Sequence, residues 1–325
     1  MKITKSIFAA LLVIAGLAGG TAYAAEEPSK PEAQAAPAAP NAPLRYSEKG
    51  ADTCLTCHNE GWAYPIYPIF STKHGNRADQ RAPFGKGGLQ CEACHGPGGS
   101  HAESGDKTLI LNQGARSTRP AAEQNKMCLT CHRGNTHTGW TGSAHETNNV
   151  ACANCHKIHA ERDPVLAKAT QADVCYACHR KERADFHKPS THPVRFGKIA
   201  CSECHAPHGS NTRAMLVKQT VNQTCYTCHA EKRGPFLWEH APVAEDCTLC
   251  HSPHGSVYQS MLKKNPPLLC QQCHATNGHP SVAYTSSGLP GRTAAPSGFL
   301  LAGGCTNCHS QVHGSNHPSG VKLMR

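Results

Sequence analysis

Residues 201–210 read CSECHAPHGS, and residues 247–256 read CTLCHSPHGS. Each stretch holds two cysteines three residues apart, a histidine directly after the second cysteine, and another histidine three residues further on. The looser phrase CHKIHAE at 155–161 repeats the same two histidines. Phrases of one design that recur along a chain predict a repeated structural unit.

The C-x-x-C-H pattern occurs ten times and uses every one of the 20 cysteines. This spacing attaches c-type haem, because two thiols one helical turn apart reach the two vinyl groups and the adjacent histidine reaches the iron. Zinc sites, redox C-x-x-C pairs and disulfides are the alternatives, but none of them explains a histidine after every second cysteine. The sequence therefore predicts ten covalently bound haems.

The predicted attachment cysteines are Cys54, Cys57, Cys91, Cys94, Cys128, Cys131, Cys152, Cys155, Cys175, Cys178, Cys201, Cys204, Cys225, Cys228, Cys247, Cys250, Cys270, Cys273, Cys305 and Cys308. The predicted proximal iron ligands are His58, His95, His132, His156, His179, His205, His229, His251, His274 and His309.

The other 13 of the 23 histidines are also patterned. Five follow the second motif of a pair closely, and five lie between the two motifs of a pair. We expect these ten to be the distal iron ligands: His74, His101, His145, His159, His192, His208, His240, His254, His279 and His313. His137, His187 and His317 remain as extras, although His317 is an alternative to His313 because the two are four residues apart.

Methionine is the rival distal ligand. Met215 and Met261 each lie seven residues after a patterned histidine, which favours equivalent packing positions over ligation. Iron with histidine on both sides has no open coordination position, so it transfers electrons and leaves substrates alone. No C-x-x-C-K motif occurs, which argues against a multihaem reductase.

The composition excludes an ordinary apolar core. Only 38% of the residues are hydrophobic and 6% are aromatic, whereas Gly and Pro number 29 and 23. Haem groups would fill the interior instead of side chains. We therefore predict a multihaem cytochrome c with few short helices, for example over 121–132 and 171–179. The rest should be mostly irregular, with no strands beyond isolated pairs.

The motifs group into five two-haem repeats that start at Cys54, Cys128, Cys175, Cys225 and Cys270. The middle repeats start 47, 50 and 45 residues apart, which is typical of an elongated array in which each unit contacts its neighbours. We call these repeats units 1 to 5. The motif count predicts a division into an N-terminal pentahaem half, 51–180, and a C-terminal pentahaem half, 181–325.

The N-terminal residues 1–24 are predicted to be a secretory signal peptide, with basic Lys2 and Lys5, an apolar stretch and the small-residue site Ala22-Tyr23-Ala24. Residues 25–50 begin with an Ala/Pro-rich tract, and we predict a disordered linker there. The formal charge of +10 is largely a counter-charge to haem propionates, so no nucleic-acid partner is expected.

The ten motifs, the CHxPHGS phrases, CHAEKRGPFLWEHAPV at 228–243 and CTNCHSQVHGSNHPSG at 305–320 resemble the DmsE/MtrA-type periplasmic decahaem cytochromes. Iron-oxidising relatives of the MtoA and PioA kind belong to the same group. The resemblance implies histidine on both faces of all ten irons and insertion into an outer-membrane β-barrel porin of the MtrB type. It also implies periplasmic or inner-membrane cytochromes as partners, and an extracellular multihaem cytochrome or reductase on the outer side.

The resemblance makes an electron conduit across the outer membrane the leading hypothesis, serving extracellular metal reduction or ferrous iron oxidation. The protein would then be periplasmic and associated with the outer membrane through its barrel partner. A free periplasmic shuttle that feeds a terminal reductase is the alternative. The direction of electron flow is not encoded in the motifs.

Overall fold

The computed structural model describes residues 44–134, 137–274 and 304–324. The predicted signal peptide, most of the predicted linker, and the candidate ligand His279 lie outside these residues. Within them, short helical segments alternate with turns and irregular chain, as the sequence predicts. No helix in the described ranges is long and apolar enough to cross a membrane.

The α-helices are Ala51–Leu55, Glu92–His95, Gly99–Ser104, Ala121–Leu129, Ala144–Thr147, Cys152–Cys155, Lys168–Tyr176, Arg180–Asp185, Val221–Cys225 and Ala241–Glu245. The 3₁₀ helices are Tyr67–Ser71, Lys107–Leu109, Pro164–Leu166, Pro193–Phe196, Cys201–Glu203, Arg213–Met215, Ala230–Lys232, Cys247–Leu249, Gln259–Met261, Cys270–Gln272, Cys305–Asn307 and Gly320–Lys322.

The two helices predicted over 121–132 and 171–179 both exist, with shifted ends. They run over Ala121–Leu129 and Lys168–Tyr176. Each helix ends one residue after the first cysteine of a motif, and the rest of the motif continues as a turn. Each of these two helices thus carries the first cysteine of a motif, and the motif histidine lies shortly after the end of the helix.

Strand pairing is confined, in the described residues, to isolated antiparallel bridges. They join Ser190 to Ser256, His205 to Leu216, Trp238 to Ser315, and His251 to Leu262. Two of these bridges close the loop that follows a motif histidine, and the other two join one unit to the next. The bridges therefore set where the ligand-bearing loops lie.

Buried apolar side chains form only small clusters. One contains Ala172, Tyr176, Phe186 and Val194, and another contains Ala51, Ile69 and Phe84. Among the described residues, no large side chain falls below 2% exposure. This sparse packing fits the expectation that haem, rather than side chains, supplies most of the interior.

Residues 45–50 fall within the range predicted as a linker, and they are held against unit 1. The Gly99 amide donates to the Arg45 carbonyl over 2.7 Å. Ser47 donates to the Glu92 carboxylate from its amide over 2.9 Å and from its hydroxyl over 2.8 Å. These contacts tie the chain that precedes the first motif to the second motif.

Candidate haem centres

All ten C-x-x-C-H motifs adopt the same local turn. In each, the histidine amide donates to the carbonyl of the first cysteine over 2.8–3.0 Å. This bond closes one helical turn, which places both cysteines and the histidine on one side of the backbone. The turn is the shape that covalent attachment and proximal ligation of one haem require.

Nine of the ten candidate distal histidines face one motif histidine each. The distances between ring centroids are 6.2 Å for His58 and His101, 6.0 Å for His74 and His132, 6.0 Å for His95 and His159, 6.2 Å for His145 and His179, 6.0 Å for His156 and His208, 6.3 Å for His192 and His229, 5.9 Å for His205 and His254, 6.1 Å for His240 and His274, and 6.1 Å for His251 and His313. The tenth candidate, His279, lies outside the described residues.

These separations match two imidazoles on opposite sides of an iron. A metal–imidazole bond is about 2 Å long and the ring centre lies about 1 Å further on, so two ligands place their centroids roughly 6 Å apart. Two buried donors, Trp140 Nε1 and the Tyr176 hydroxyl, have no partner among the described polypeptide atoms. Haem propionates would supply acceptors for such groups, so the residues present fit the cofactor.

Eight of the nine histidine pairs join a motif histidine of one unit to a distal candidate of a neighbouring unit. The first motif of units 2 to 5 faces a histidine that lies between the motifs of the preceding unit. The second motif of units 1 to 4 faces the histidine that follows the second motif of the next unit. Among the pairs in the described residues, His58 of unit 1 is the one that faces a histidine of its own unit, His101. Neighbouring units therefore exchange candidate ligands in both directions.

Hydrogen bonds at Nδ1 orient the rings. Among the distal candidates, Nδ1 lies 2.9 Å from the Asp106 carbonyl for His101, 2.7 Å from Pro207 for His145, 2.8 Å from Pro253 for His192, and 3.0 Å from Val312 for His240. Three of these four carbonyls directly precede another distal candidate, namely His208, His254 and His313. A Nδ1–H bond leaves Nε2 to bind metal, so each contact favours the ligating tautomer.

Burial also favours the ligating form of several distal candidates. It lowers the pKa of His74, His159 and His254, and the charge of the paired motif histidine lowers the pKa further. A neutral imidazole offers the lone pair that an iron ligand needs.

The three extra histidines have other neighbours. His137 lies between two candidate pairs, with its ring centroid 5.5 Å from His132 and 4.4 Å from His208. His187 has Nδ1 3.4 Å from the Arg195 guanidinium. His317 accepts at Nδ1 from the Ser319 amide over 3.2 Å, while His313 faces the motif histidine His251.

The two methionines weighed as ligands occupy equivalent backbone positions. Met215 and Met261 have φ values of 50° and 54°, and the residues before them, Ala214 and Ser260, are also left-handed. This turn directs the Ala214 and Ser260 carbonyls to Nδ1 of the motif histidines His205 and His251, each over 2.8 Å. The segments that carry these methionines therefore orient the proximal rings.

Within each unit, the first cysteines of the two motifs lie side by side. The five neighbouring thiol pairs are Cys54 with Cys91, Cys128 with Cys152, Cys175 with Cys201, Cys225 with Cys247, and Cys270 with Cys305. In the thiol form, the contact with Cys152 lowers the pKa of Cys128 to about 7. Haem attachment would convert these sulfurs to thioethers and would place the two haems of a unit next to each other.

Between units, the second motif lies close to the first motif of the next unit. Burial raises the pKa of Cys94 to about 11, and the nearby charges of Cys128 and Cys131 add to the rise. The same effect links three further cysteine pairs, which are Cys155 with Cys178, Cys204 with Cys228, and Cys250 with Cys273. Each motif therefore lies next to the following one from the first motif to the tenth.

Buried amide side chains tie the two motifs of a unit together, a role that the sequence analysis did not identify. Asn125 accepts from the Cys152 amide over 2.7 Å, and Asn222 accepts from the Cys247 amide over 2.8 Å. Gln171 accepts from the Ser202 amide over 2.9 Å in unit 3. The signal that could have found them is an Asn or Gln three or four residues before the first cysteine of a unit.

We expect Asn222→Ala to destabilise unit 4. The side chain also donates to the Val243 carbonyl over 2.8 Å, so the change leaves buried backbone groups unpaired. Such a loss costs about 1–3 kcal/mol. The midpoint of thermal loss of the native Soret spectrum should fall, whereas Gln223→Ala, a change at the neighbouring exposed amide, should leave it in place. Equal midpoints for the two variants would contradict the role given to Asn222.

Three family models match parts of the chain. The doubled C-x-x-C-H motif matches residues 192–234 and 240–279. The NrfB-like cytochrome c-type protein model matches residues 91–169, and the cytochrome c554 and c-prime model matches residues 21–96. All three describe c-type cytochromes, so this chain carries covalently bound c-type haem.

Comparison with individual known proteins gives the same result. The multihaem cytochrome MtrA of Shewanella baltica (strain OS185) is 48% identical over 280 residues, which cover 86% of this chain and 83% of the relative. The cytochrome c-type protein NrfB of Haemophilus influenzae is 24% identical over 35% of this chain and 54% of its own length.

Among solved structures, an undecahaem cytochrome from the S-layer of Carboxydothermus ferrireducens matches with 21% identity and a TM-score of 0.16. That match covers 59% of this chain and 32% of the other chain. The identity and coverage shared with the Shewanella cytochrome are what establish the family. The chain therefore belongs to the MtrA-type multihaem c-type cytochromes, and it is an electron carrier rather than an enzyme.

Proposed function

We propose that this chain carries electrons across the outer membrane along a row of ten haems, held inside a porin-like β-barrel of the MtrB type. The observation that carries the proposal is the proximity of each motif to the next, without a break from Cys54 to Cys305. An electron that enters at one end then has a neighbouring site at every step.

The proposal includes axial ligation by the nine histidine pairs. His279 stays a predicted distal ligand, and we assign it to His309, the motif histidine left without a partner among the nine pairs, which completes ten sites. When bound, each haem supplies a reversible one-electron couple between ferric and ferrous iron. The cysteines hold each site in place, and the paired imidazoles close both faces against other ligands. The bonds at Nδ1 keep the rings oriented, so the sites need little rearrangement when an electron arrives.

A barrel partner would solve the problem of crossing lipid. The lumen of such a barrel is polar, whereas its outer apolar band is about 25 Å tall. A chain with 32 Lys and Arg and 22 Asp and Glu side chains can line a polar lumen, but it would be unstable in hydrocarbon. We expect periplasmic or inner-membrane cytochromes at one end of the row. An extracellular multihaem cytochrome, a reductase, or iron itself would meet the other end.

Vesicles provide the test. The mature holoprotein and an MtrB-type porin are reconstituted in liposomes that contain an oxidised viologen dye, and dithionite is added outside. We expect the trapped dye to be reduced while a co-trapped fluorescent size marker stays inside. Vesicles with the porin alone should stay colourless over the same time.

Two outcomes would contradict the conduit. Dye reduction only in vesicles that also lose the marker would show leakage instead of electron transfer. Failure of the holoprotein to co-purify with the porin, together with rapid electron exchange with a soluble reductase, would identify a free periplasmic shuttle.

A further inference from the structure

The second motif of unit 2 differs from its counterparts at the proximal histidine. The Nδ1 of His156 donates to the Asp163 carboxylate over 2.7 Å. The Asp163 side chain is only 12% exposed, and its other oxygen accepts from the Lys157 and Val165 amides over 3.2 and 3.3 Å. The carboxylate is thus fixed beside the imidazole by the backbone.

In the second motifs of the other four units, a main-chain carbonyl occupies this place. The acceptors are Leu111 for His95, Ala214 for His205, Ser260 for His251 and Lys322 for His309. Carboxylates also lie near two first-motif histidines, His179 and His229, but at 3.8 Å they are beyond hydrogen-bonding distance. The contact in unit 2 is therefore a change of acceptor from a neutral dipole to an anion.

The sequence of unit 2 explains the change. Its phrase is CHKIHAERDP, without the Gly-Ser that follows the second histidine in CHAPHGS and CHSPHGS. In units 3 and 4 a left-handed pair of residues returns a carbonyl to the motif histidine. In unit 2 the chain instead turns into the 3₁₀ helix Pro164–Leu166, and the residue that caps this helix is Asp163.

We propose that Asp163 lowers the reduction potential of the haem at Cys152 and Cys155 below those of the other four second-motif haems. An anionic acceptor draws the Nδ1 proton away from the ring, which makes the imidazole a stronger electron donor to iron. Stronger donation stabilises ferric iron relative to ferrous iron, so the one-electron reduction becomes less favourable. Asp163 acts through His156 and is a positioning residue. The inference rests on the proposed ligation of this iron by His156 and His208.

The position of this haem in the row determines how its lowered reduction potential affects electron transfer. It is fourth in the row, between the motifs that begin at Cys128 and Cys175. A fourth haem with a lowered potential is reduced after its second-motif counterparts and gives up its electron before them. The row is then divided by a step, with three haems on one side and six on the other.

Asp163→Asn tests the proposal, because it removes the charge while keeping the size of the side chain. We expect one component of the redox titration of the holoprotein to rise, with an increase of about tenfold in its reduction equilibrium constant, or about 59 mV for one electron. Asp106→Asn is the matched control. Asp106 also caps a 3₁₀ helix, Lys107–Leu109, and lies beside a ligand histidine, but it meets His101 through its main-chain carbonyl.

A second measurement does not depend on the conformation that the asparagine side chain adopts in D163N. Deleting the fourth haem with C152A/C155A should remove a titration component lower than the one removed by C201A/C204A, which deletes the equivalent haem of unit 3. Equal components, or equal shifts in D163N and D106N, would overturn the proposal. High-spin ferric iron in D163N alone would also overturn it, since Asp163 would then secure ligation instead of tuning it. Fewer than ten haems, or high-spin iron in the unmodified protein, would count against the proposed ligation itself.

Discussion

Electron passage through porin-containing vesicles should stop when Cys175 and Cys178 are both replaced by alanine. These residues are the predicted attachment site of the fifth haem, and the structure places their motif between two others. Cys175 contacts Cys201 on one side, and Cys178 is close to Cys155 on the other. Removing the haem interrupts the row in its middle, so dye reduction should fall to the level of vesicles with porin alone.

A matched control removes a haem from the end of the row. Cys54→Ala with Cys57→Ala also reduces the predicted haem content from ten to nine, which a pyridine haemochrome assay measures. It leaves each remaining motif next to the following one, so dye reduction should persist at a measurable rate. Loss of transport in the end variant with survival in the middle variant would exclude a single continuous path.

The iron at Cys201 and Cys204 should become high-spin when His254 is replaced by alanine, although His254 follows a different motif. The ring of His254 faces His205 at 5.9 Å, and its pKa is lowered by burial and by that neighbour. Without the His254 imidazole, the proximal histidine would be the one protein ligand left to this iron. One haem in ten should then show high-spin ferric resonances and bind added cyanide.

Double variants identify which haem has changed. The high-spin signal of H254A should vanish when C201A/C204A removes the haem of unit 3. It should persist when C247A/C250A removes the haem attached nearest to His254 in sequence. The reverse result would show that His254 serves its own unit, and it would contradict the exchange of ligands.

The sequence predicted the cofactor, the repeats and the fold class because these depend on local patterns. A motif of five residues specifies its own turn, and the scarcity of apolar side chains explains the short helices and isolated bridges. The ends of the helices were less predictable. The helix predicted over 121–132 ends at Leu129, since the turn that presents Cys131 and His132 is itself not part of the regular helix.

The ligand pairings could not be read from the sequence because they are tertiary. The two histidines of a pair are separated by 34 to 64 residues, and spacing alone allows several partners for each. The loop that returns Ala214 to His205 depends on two left-handed residues that are not glycines, which no propensity predicts. The contact between the Asp163 carboxylate and His156 was likewise not predictable, since the sequence around Asp163 indicates an ordinary helix cap.

The exchange of histidines between units bears on how such chains could change length. Each internal unit supplies one candidate distal histidine to the following unit and one to the preceding unit. It receives one candidate distal histidine from each of them. If a whole internal unit were removed, the two units beside it would still supply each other's candidate distal histidines. If half a unit were removed, one iron would lack its distal histidine. Tandem duplication or loss of complete two-haem modules would thus be an evolutionary path that keeps a candidate distal ligand for every internal iron.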